Sequence, residues 1–150
     1  MMCFPCRGSS YKGGIGPGPT CTPCGNNTYA DVTAGTSPDV CIPCPLNTFS
    51  ATESLTITEC TCNAGYAGED GTQCTACEAG TFKTLTGNSE CLVCGAGTFS
   101  STVAATSESQ CTSCQGNSSA AVGSNSSEDC SCNPGFYDSS GEDEINPFFG

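Results

Sequence analysis

Histidine and tryptophan are absent from this chain of 150 residues, and only three cations (Arg7, Lys12 and Lys83) stand against fifteen carboxylates. Without His, the commonest general base and the commonest metal ligand are both missing. A formal net charge of −12 excludes nucleic-acid binding, which depends on Lys and Arg replacing condensed counterions. It equally removes attraction to an anionic membrane surface. No apolar run approaches the roughly 18–20 residues of a membrane span. The opening Met1-Met2-Cys3-Phe4-Pro5-Cys6 lacks the charged-then-apolar form of a secretory signal. If the chain is exported, its signal lies outside these residues, and the expectation is a mature segment or a piece of a longer chain. Apolar bulk is scarce too: Leu, Ile, Val and Phe together number 20. That is about 13% of the chain, below the roughly 20% at which a highly charged sequence stays unfolded. An ordinary α/β enzyme core is therefore not expected.

What the chain has is cysteine, 16 residues in eight pairs. Six pairs are C-x-x-C (Cys3/Cys6, Cys21/Cys24, Cys41/Cys44, Cys74/Cys77, Cys91/Cys94, Cys111/Cys114) and two are C-x-C (Cys60/Cys62, Cys130/Cys132). Three C-x-x-C pairs precede each C-x-C pair. Cys74, Cys91, Cys111 and Cys130 follow Cys3, Cys21, Cys41 and Cys60 by 71, 70, 70 and 70 residues. This is an internal tandem repeat, expected to divide the chain into 1–73 and 74–150, the second with an acidic C-terminal linker. The loops repeat as well: Cys62-Asn63-Ala64-Gly65-Tyr66 answers Cys132-Asn133-Pro134-Gly135-Phe136. An aromatic stands five residues after the second cysteine in five C-x-x-C units, at Tyr11, Tyr29, Phe49, Phe82 and Phe99. Rings at that regularity pack on neighbouring disulfides in place of a core.

Zinc would require four ions for eight pairs, with almost no basic residues to balance the thiolates. A thioredoxin-like site needs one C-x-x-C beside a βαβ pattern, which is absent. An extracellular disulfide framework accounts for all sixteen cysteines with one cause. Spacing does not choose among the pairings. No cofactor, metal or catalytic constellation is expected. The acidic end, Asp138 with Glu142, Asp143 and Glu144, lacks calcium-loop spacing and reads as a solvated linker. Glu59 and Asp129 are isolated carboxylates at equivalent repeat positions, which points to structure rather than chemistry. Three sequons, at Asn26, Asn117 and Asn125, are expected to carry N-linked glycans.

Helical periodicity is missing, and short pieces such as Gly80-Thr81-Phe82-Lys83 read as small strands between turns. The fold class expected is small and disulfide-rich: tandem short β-hairpin modules stacked into an elongated rod, with little helix.

The run Cys74-Thr75-Ala76-Cys77-Glu78-Ala79-Gly80-Thr81-Phe82, followed by Cys91/Cys94 and Cys130-Ser131-Cys132-Asn133-Pro134-Gly135-Phe136, resembles the ephrin-receptor-like cysteine-rich repeat. That module is similar in style to EGF-like and tumour-necrosis-factor-receptor-like modules. The resemblance covers nearly the whole chain twice. The first repeat is looser, with Ser9-Ser10-Tyr11 where Gly-Thr-Phe is expected, and each repeat has one C-x-x-C unit more than the receptors. Cys62-x-x-Gly65-Tyr66-x-Gly68 up to Cys74 looks like the last loop of an EGF-like module, which implies a Cys62–Cys74 disulfide. It also implies that Cys132 bonds a cysteine beyond Gly150 or stays unpaired in this segment. Such modules occur in receptor ectodomains, protist surface proteins and flagellar hairs (mastigonemes). The resemblance thus implies a non-enzymatic, extracellular or cell-surface structural module that self-associates into a fibre. The alternative is a receptor or adhesion ectodomain with a protein ligand. The apolar Ile145-Asn146-Pro147-Phe148-Phe149-Gly150 end is expected either to be the contact for self-association or to pack onto the next module of the same chain.

Overall fold

A computed structural model describes residues 2–14, 16 and 20–138. The acidic Glu142–Glu144 run and the apolar Ile145–Gly150 end lie outside the described residues. No α-helix occurs among the described residues, and none of their helices is long and apolar enough to cross a membrane. Among the described residues, fourteen two-residue strands pair into seven separate antiparallel hairpins. In order, β1 (Ser10–Tyr11) pairs with β2 (Thr22–Pro23), β3 (Thr28–Tyr29) with β4 (Ile42–Pro43), and β5 (Thr48–Phe49) with β6 (Thr61–Cys62). Then β7 (Tyr66–Ala67) pairs with β8 (Thr75–Ala76), β9 (Thr81–Phe82) with β10 (Leu92–Val93), β11 (Thr98–Phe99) with β12 (Thr112–Ser113), and β13 (Ser118–Ser119) with β14 (Ser131–Cys132). The second strand of each hairpin occupies the residues inside or at the edge of a cysteine pair.

Local chemistry explains the Gly/Asn-Thr-Phe/Tyr signature that opens four of the hairpins, at β3, β5, β9 and β11. The residue before Thr turns through left-handed backbone: φ is 63° at Asn27 and Asn47, 82° at Gly80 and 78° at Gly97. Asn and Gly are the residues that tolerate this region. The hydroxyl that follows donates back across the turn to a carbonyl three residues earlier: Thr28 to Gly25 (2.7 Å), Thr48 to Pro45 (2.6 Å), Thr81 to Glu78 (2.7 Å) and Thr98 to Gly95 (2.7 Å). In the looser first unit Ser9 takes the left-handed position (φ 60°) and the Ser10 hydroxyl donates to the Arg7 carbonyl at 2.7 Å. The departure from the motif therefore leaves the geometry unchanged.

Four 3-10 turns, Pro38–Val40, Ile57–Glu59, Glu108–Gln110 and Ser127–Asp129, each lead straight into a cysteine. The N3 side chain closes three of them. Glu59 accepts from the Leu55 and Thr56 N–H groups (3.0 and 3.1 Å), and Asp129 from those of Asn125 and Ser126 (3.0 and 3.1 Å). Gln110 does the same for Thr106 and Ser107. Glu59 and Asp129 are thus turn-capping residues.

Units are joined serially. Parallel bridges set Tyr11 against Gly35, Tyr29 against Ser54, Phe82 against Ala105 and Phe99 against Ser124, each in the next unit. Among the described residues, backbone hydrogen bonds link a unit to itself or to the next one along. The core is mostly half-cystine: Cys24, Cys60, Cys62, Cys74, Cys77 and Cys94 are all buried. Phe82 packs with Cys94, Ala105 and Cys111, so its ring covers the disulfide of the following unit. The other aromatics are covered less, and Phe49 is 40% exposed. Each layer is closed chiefly by sulfur and backbone rather than by a ring.

Candidate functional site

Seven disulfides follow one rule: the second cysteine of each pair bonds the first cysteine of the next. They are Cys6–Cys21, Cys24–Cys41, Cys44–Cys60, Cys62–Cys74, Cys77–Cys91, Cys94–Cys111 and Cys114–Cys130, with Cα separations of 5.5–5.8 Å. Those distances fall in the ordinary disulfide range. Every bridge clips one hairpin, and no C-x-x-C pair bonds within itself. The stagger leaves Cys3 and Cys132 free, both exposed.

The Cys62–Cys74 bridge differs from the rest in position. It spans the expected boundary at residue 74 and ties the last unit of the first repeat to the start of the second. Other groups converge on the same junction. Gly65 N–H donates to Lys83 O (2.9 Å), Cys77 N–H to Gly65 O (2.8 Å), and Gly87 N–H to Cys62 O (2.8 Å). The Asn47 side-chain amide donates to Cys74 O at 2.9 Å. Gly65 (φ 79°) lies so close to the Ala104 carbonyl that a Cβ there would stand 2.4 Å from its oxygen. Only glycine fits both demands at once.

Lys83 is the polar centre of this junction. It is 2% exposed, and its ammonium donates to Tyr66 O (2.7 Å) and to Gly87 O. Desolvation pushes its pKa down, while the Asp70 carboxylate opposes that shift. A buried ammonium bonded to two carbonyls holds the Cys62–Cys74 loop against the next unit. Sequence reading missed this role, because a lone Lys after the repeated aromatic gives no sign of burial. The signal available was that Lys12 and Lys83 are two of only three cations and occupy equivalent positions. Lys12 donates to Gly16 O at 2.9 Å, the equivalent of Lys83 to Gly87.

Asn26, Asn117 and Asn125 are all exposed, Asn26 in the Cys24–Cys41 hairpin and the other two together in the Cys114–Cys130 hairpin. The Asn117 carbonyl accepts from Asn133 N–H (2.8 Å), and the Asn125 N–H is held by Asp129, so both backbones are fixed while the surface stays open. Glu69, Asp70 and Glu90 line one shallow groove beside the junction. No three His, Cys, Asp or Glu side chains are placed to share a metal ion among the described residues.

The search of curated proteins finds no match to the chain. The family model described as tyrosine-protein kinase ephrin type A/B receptor-like matches residues 65–111, about a third of the chain, taking in the Cys77–Cys91 and Cys94–Cys111 hairpins. Residues 65–111 thus match an ephrin-receptor-like cysteine-rich repeat, and the seven serial, staggered disulfides fit such a repeat.

Proposed function

We propose that this segment is a non-enzymatic extracellular structural module of a glycosylated surface or filament protein, mastigoneme-like in kind, built from two repeats over 1–73 and 74–150. The observation that carries the reading is the serial bonding. Each hairpin is bridged covalently and is hydrogen-bonded only to itself and its neighbours among the described residues. Such quasi-one-dimensional stacks hold two points at a fixed distance rather than enclosing a substrate. Sixteen cysteines suit an oxidising, extracellular compartment. The exposed Asn26, Asn117 and Asn125 suit N-linked glycans on a secreted surface.

The receptor or adhesion alternative has one observation in its favour. A shallow groove lined by Lys83, Thr84, Leu85, Ser89, Glu90 and Leu92 lies inside the stretch that matches the receptor-like model, and Leu85 and Leu92 are exposed. Small-angle scattering and electron microscopy of the secreted, glycosylated protein decide between the two. Elongated particles that associate with rising concentration are expected. A strictly monodisperse monomer that binds a soluble protein partner tightly would overturn the structural reading.

A further inference from the structure

One face of the stack changes its chemistry between the repeats while its fold stays the same. In the second repeat a groove of about 350 Å³ is lined by Phe99, Thr112, Ser113, Gln115, Ser118 and Ser127. Their counterparts 70 residues earlier are Tyr29, Ile42, Pro43, Pro45, Thr48 and Ile57. Where the first repeat has two isoleucines and two prolines, the second thus has three hydroxyls and an amide. The backbone is conserved between them. Phe99 stands opposite Thr112 in register as Tyr29 stands opposite Ile42, and the 3-10 turns Ile57–Glu59 and Ser127–Asp129 coincide. The fold accepts either lining, so it does not require the polar one.

Stacking leaves this face open. In the first repeat the next unit along the chain is in place, yet Ile42 and Ile57 are still 44% and 40% exposed. Thr112, Ser113, Gln115 and Ser127 are exposed in the same way. Among the described residues, the side chains of these four form no hydrogen bond to the protein. Ser118 differs, since its hydroxyl donates to Gln115 O. Phe99 is half-buried, and as the cross-strand partner of Thr112 it shares a side of the hairpin with that hydroxyl.

The lining also selects a class of ligand. None of its side chains is charged, in a chain with fifteen acids. An anionic ligand would find no cation there, and a cationic one no carboxylate. A wholly apolar ligand would suit the lining of the first repeat, because it would bury these hydroxyls without partners. The ligand that fits is neutral, rich in hydroxyls and apolar on one C–H face, which describes a pyranose ring. The groove also lies within the size range of small-ligand sites, roughly 300–1,000 Å³. Sugars are expected on this same hairpin. Ser119, where the first repeat has Phe49, completes the Asn117 sequon, and Asn125 stands where the first repeat has Leu55.

We infer that this groove binds a pyranose, with its C–H face on Phe99 and its hydroxyls on Thr112, Ser113, Gln115 and Ser127. Two sources share that chemistry: an N-linked glycan on Asn117 or Asn125 of the same chain, and a glycan of a neighbouring molecule. The groove stands apart from the structural-module reading; only the first source rests on the glycans of that reading.

The test uses the oxidised full chain carrying Asn117→Gln and Asn125→Gln, its internal bridges mapped. It is titrated with N,N′-diacetylchitobiose and with mannotriose while amide NMR shifts are followed. The expected result is shifts centred on Thr112, Ser113, Gln115 and Ser127, with a dissociation constant on the order of 1 mM. Thr112→Ile together with Ser127→Ile restores the lining of the first repeat, in a fold that already accepts it, and should weaken binding about tenfold or more. Phe99→Leu, which keeps apolar bulk without a ring, should do the same. The glycosylated parent chain separates the sources. Contacts between the Phe99 ring and sugar protons, with no response to added saccharide, assign the groove to the chain's own glycan. A response equal to that of the sequon variant assigns it to a neighbour's. No shift with either saccharide, or undiminished binding in the Thr112→Ile, Ser127→Ile chain, would overturn the inference. Shifts produced instead by a neutral proline-rich peptide would overturn it in favour of a peptide groove. Sugar-free Asn117 and Asn125 in the secreted parent would overturn the glycosylated-surface reading, while saccharide shifts in the sequon variant would still uphold the groove.

Discussion

Gly65→Ala and Gly135→Ala form a matched pair, because the two glycines hold the same repeat position and the same left-handed backbone (φ 79° and 89°). Either alanine incurs the conformational penalty, about 1–2 kcal/mol. At Gly135 nothing more is added, since the Cβ position is open. At Gly65 the new Cβ stands 2.4 Å from Ala104 O, 3.0 Å from its carbonyl carbon and 3.2 Å from Thr106 Cγ2. Ordinary contact requires the Ala104 backbone to retreat by about 1 Å, and that backbone is pinned by its N–H bond to Cys77 O at 2.8 Å. Overpacking of this kind adds about 1–3 kcal/mol. The expected totals are thus about 2–5 kcal/mol at Gly65 and about 1–2 kcal/mol at Gly135 in the monomer. Units of a serial stack open locally, so amide exchange is the right assay rather than a global melt. The Cys77 and Gly87 amides, both bonded across the junction, should exchange roughly 30-fold to several thousand-fold faster in Gly65→Ala. The Asn133-bonded Phe136 amide should change by tenfold or so in Gly135→Ala. Equal effects at the two sites would refute the claim that the Gly65–Ala104 approach fixes the junction.

Excess reductant without denaturant should abolish ordered secondary structure by far-UV dichroism, because each bridge closes a loop of 12 to 17 residues and contributes about 3 kcal/mol. A chelator should leave the spectrum unchanged; loss of structure to the chelator would restore the zinc reading. Ser9→Gly should stabilise the first unit by about 1–2 kcal/mol. It removes a left-handed Ser (φ 60°) and a fully buried hydroxyl without a hydrogen-bond partner, and slower local exchange at Cys24, whose N–H bonds Ser9 O, checks this. Glu59 has its pKa lowered, first by the Leu55 N–H bond. Its contribution is therefore present above the unfolded carboxylate pKa and lost as pH falls through the folded one. The Leu55 and Thr56 amides should lose protection on acidification in the parent chain, but not in Glu59→Gln, since Gln110 makes the same two bonds without charge.

Cysteine periodicity made the architecture readable, because few other residues in this chain could hold a fold together. The tandem repeat, the hairpin at each Gly-Thr-Phe and the lack of helix all follow from spacing and turn chemistry. Expectations carried by the aromatics were less accurate: equal spacing suggested equal packing, yet Phe82 is buried and Phe49 is 40% exposed. Whether a ring is covered depends on what the next unit presents, and that information lies elsewhere in the chain. Lys83 was opaque for the same reason. Its burial is set by Tyr66 and Gly87, which only the folded junction brings together.

The stagger itself has a physical origin that spacing expresses only in part. Residues three apart on an extended strand face opposite sides. Each C-x-x-C pair therefore directs one sulfur back to the preceding hairpin and one forward to the next, as Cys21 and Cys24 do. That argument supplies direction but not partner, so the pairing remained open until the units were seen in series. The C-x-C pairs interrupt the alternation. Deleting one residue draws Cys62 into β6 opposite Thr48, the register position that Pro43 holds opposite Thr28. A sulfur inside the strand then meets Cys74 across the shortest of the seven bridged loops. Cys132 is drawn into β14 opposite Ser118 in the same way. One deletion, made twice, thus marks where one repeat hands over to another, and the second instance presents its sulfur in the register that the first has already joined.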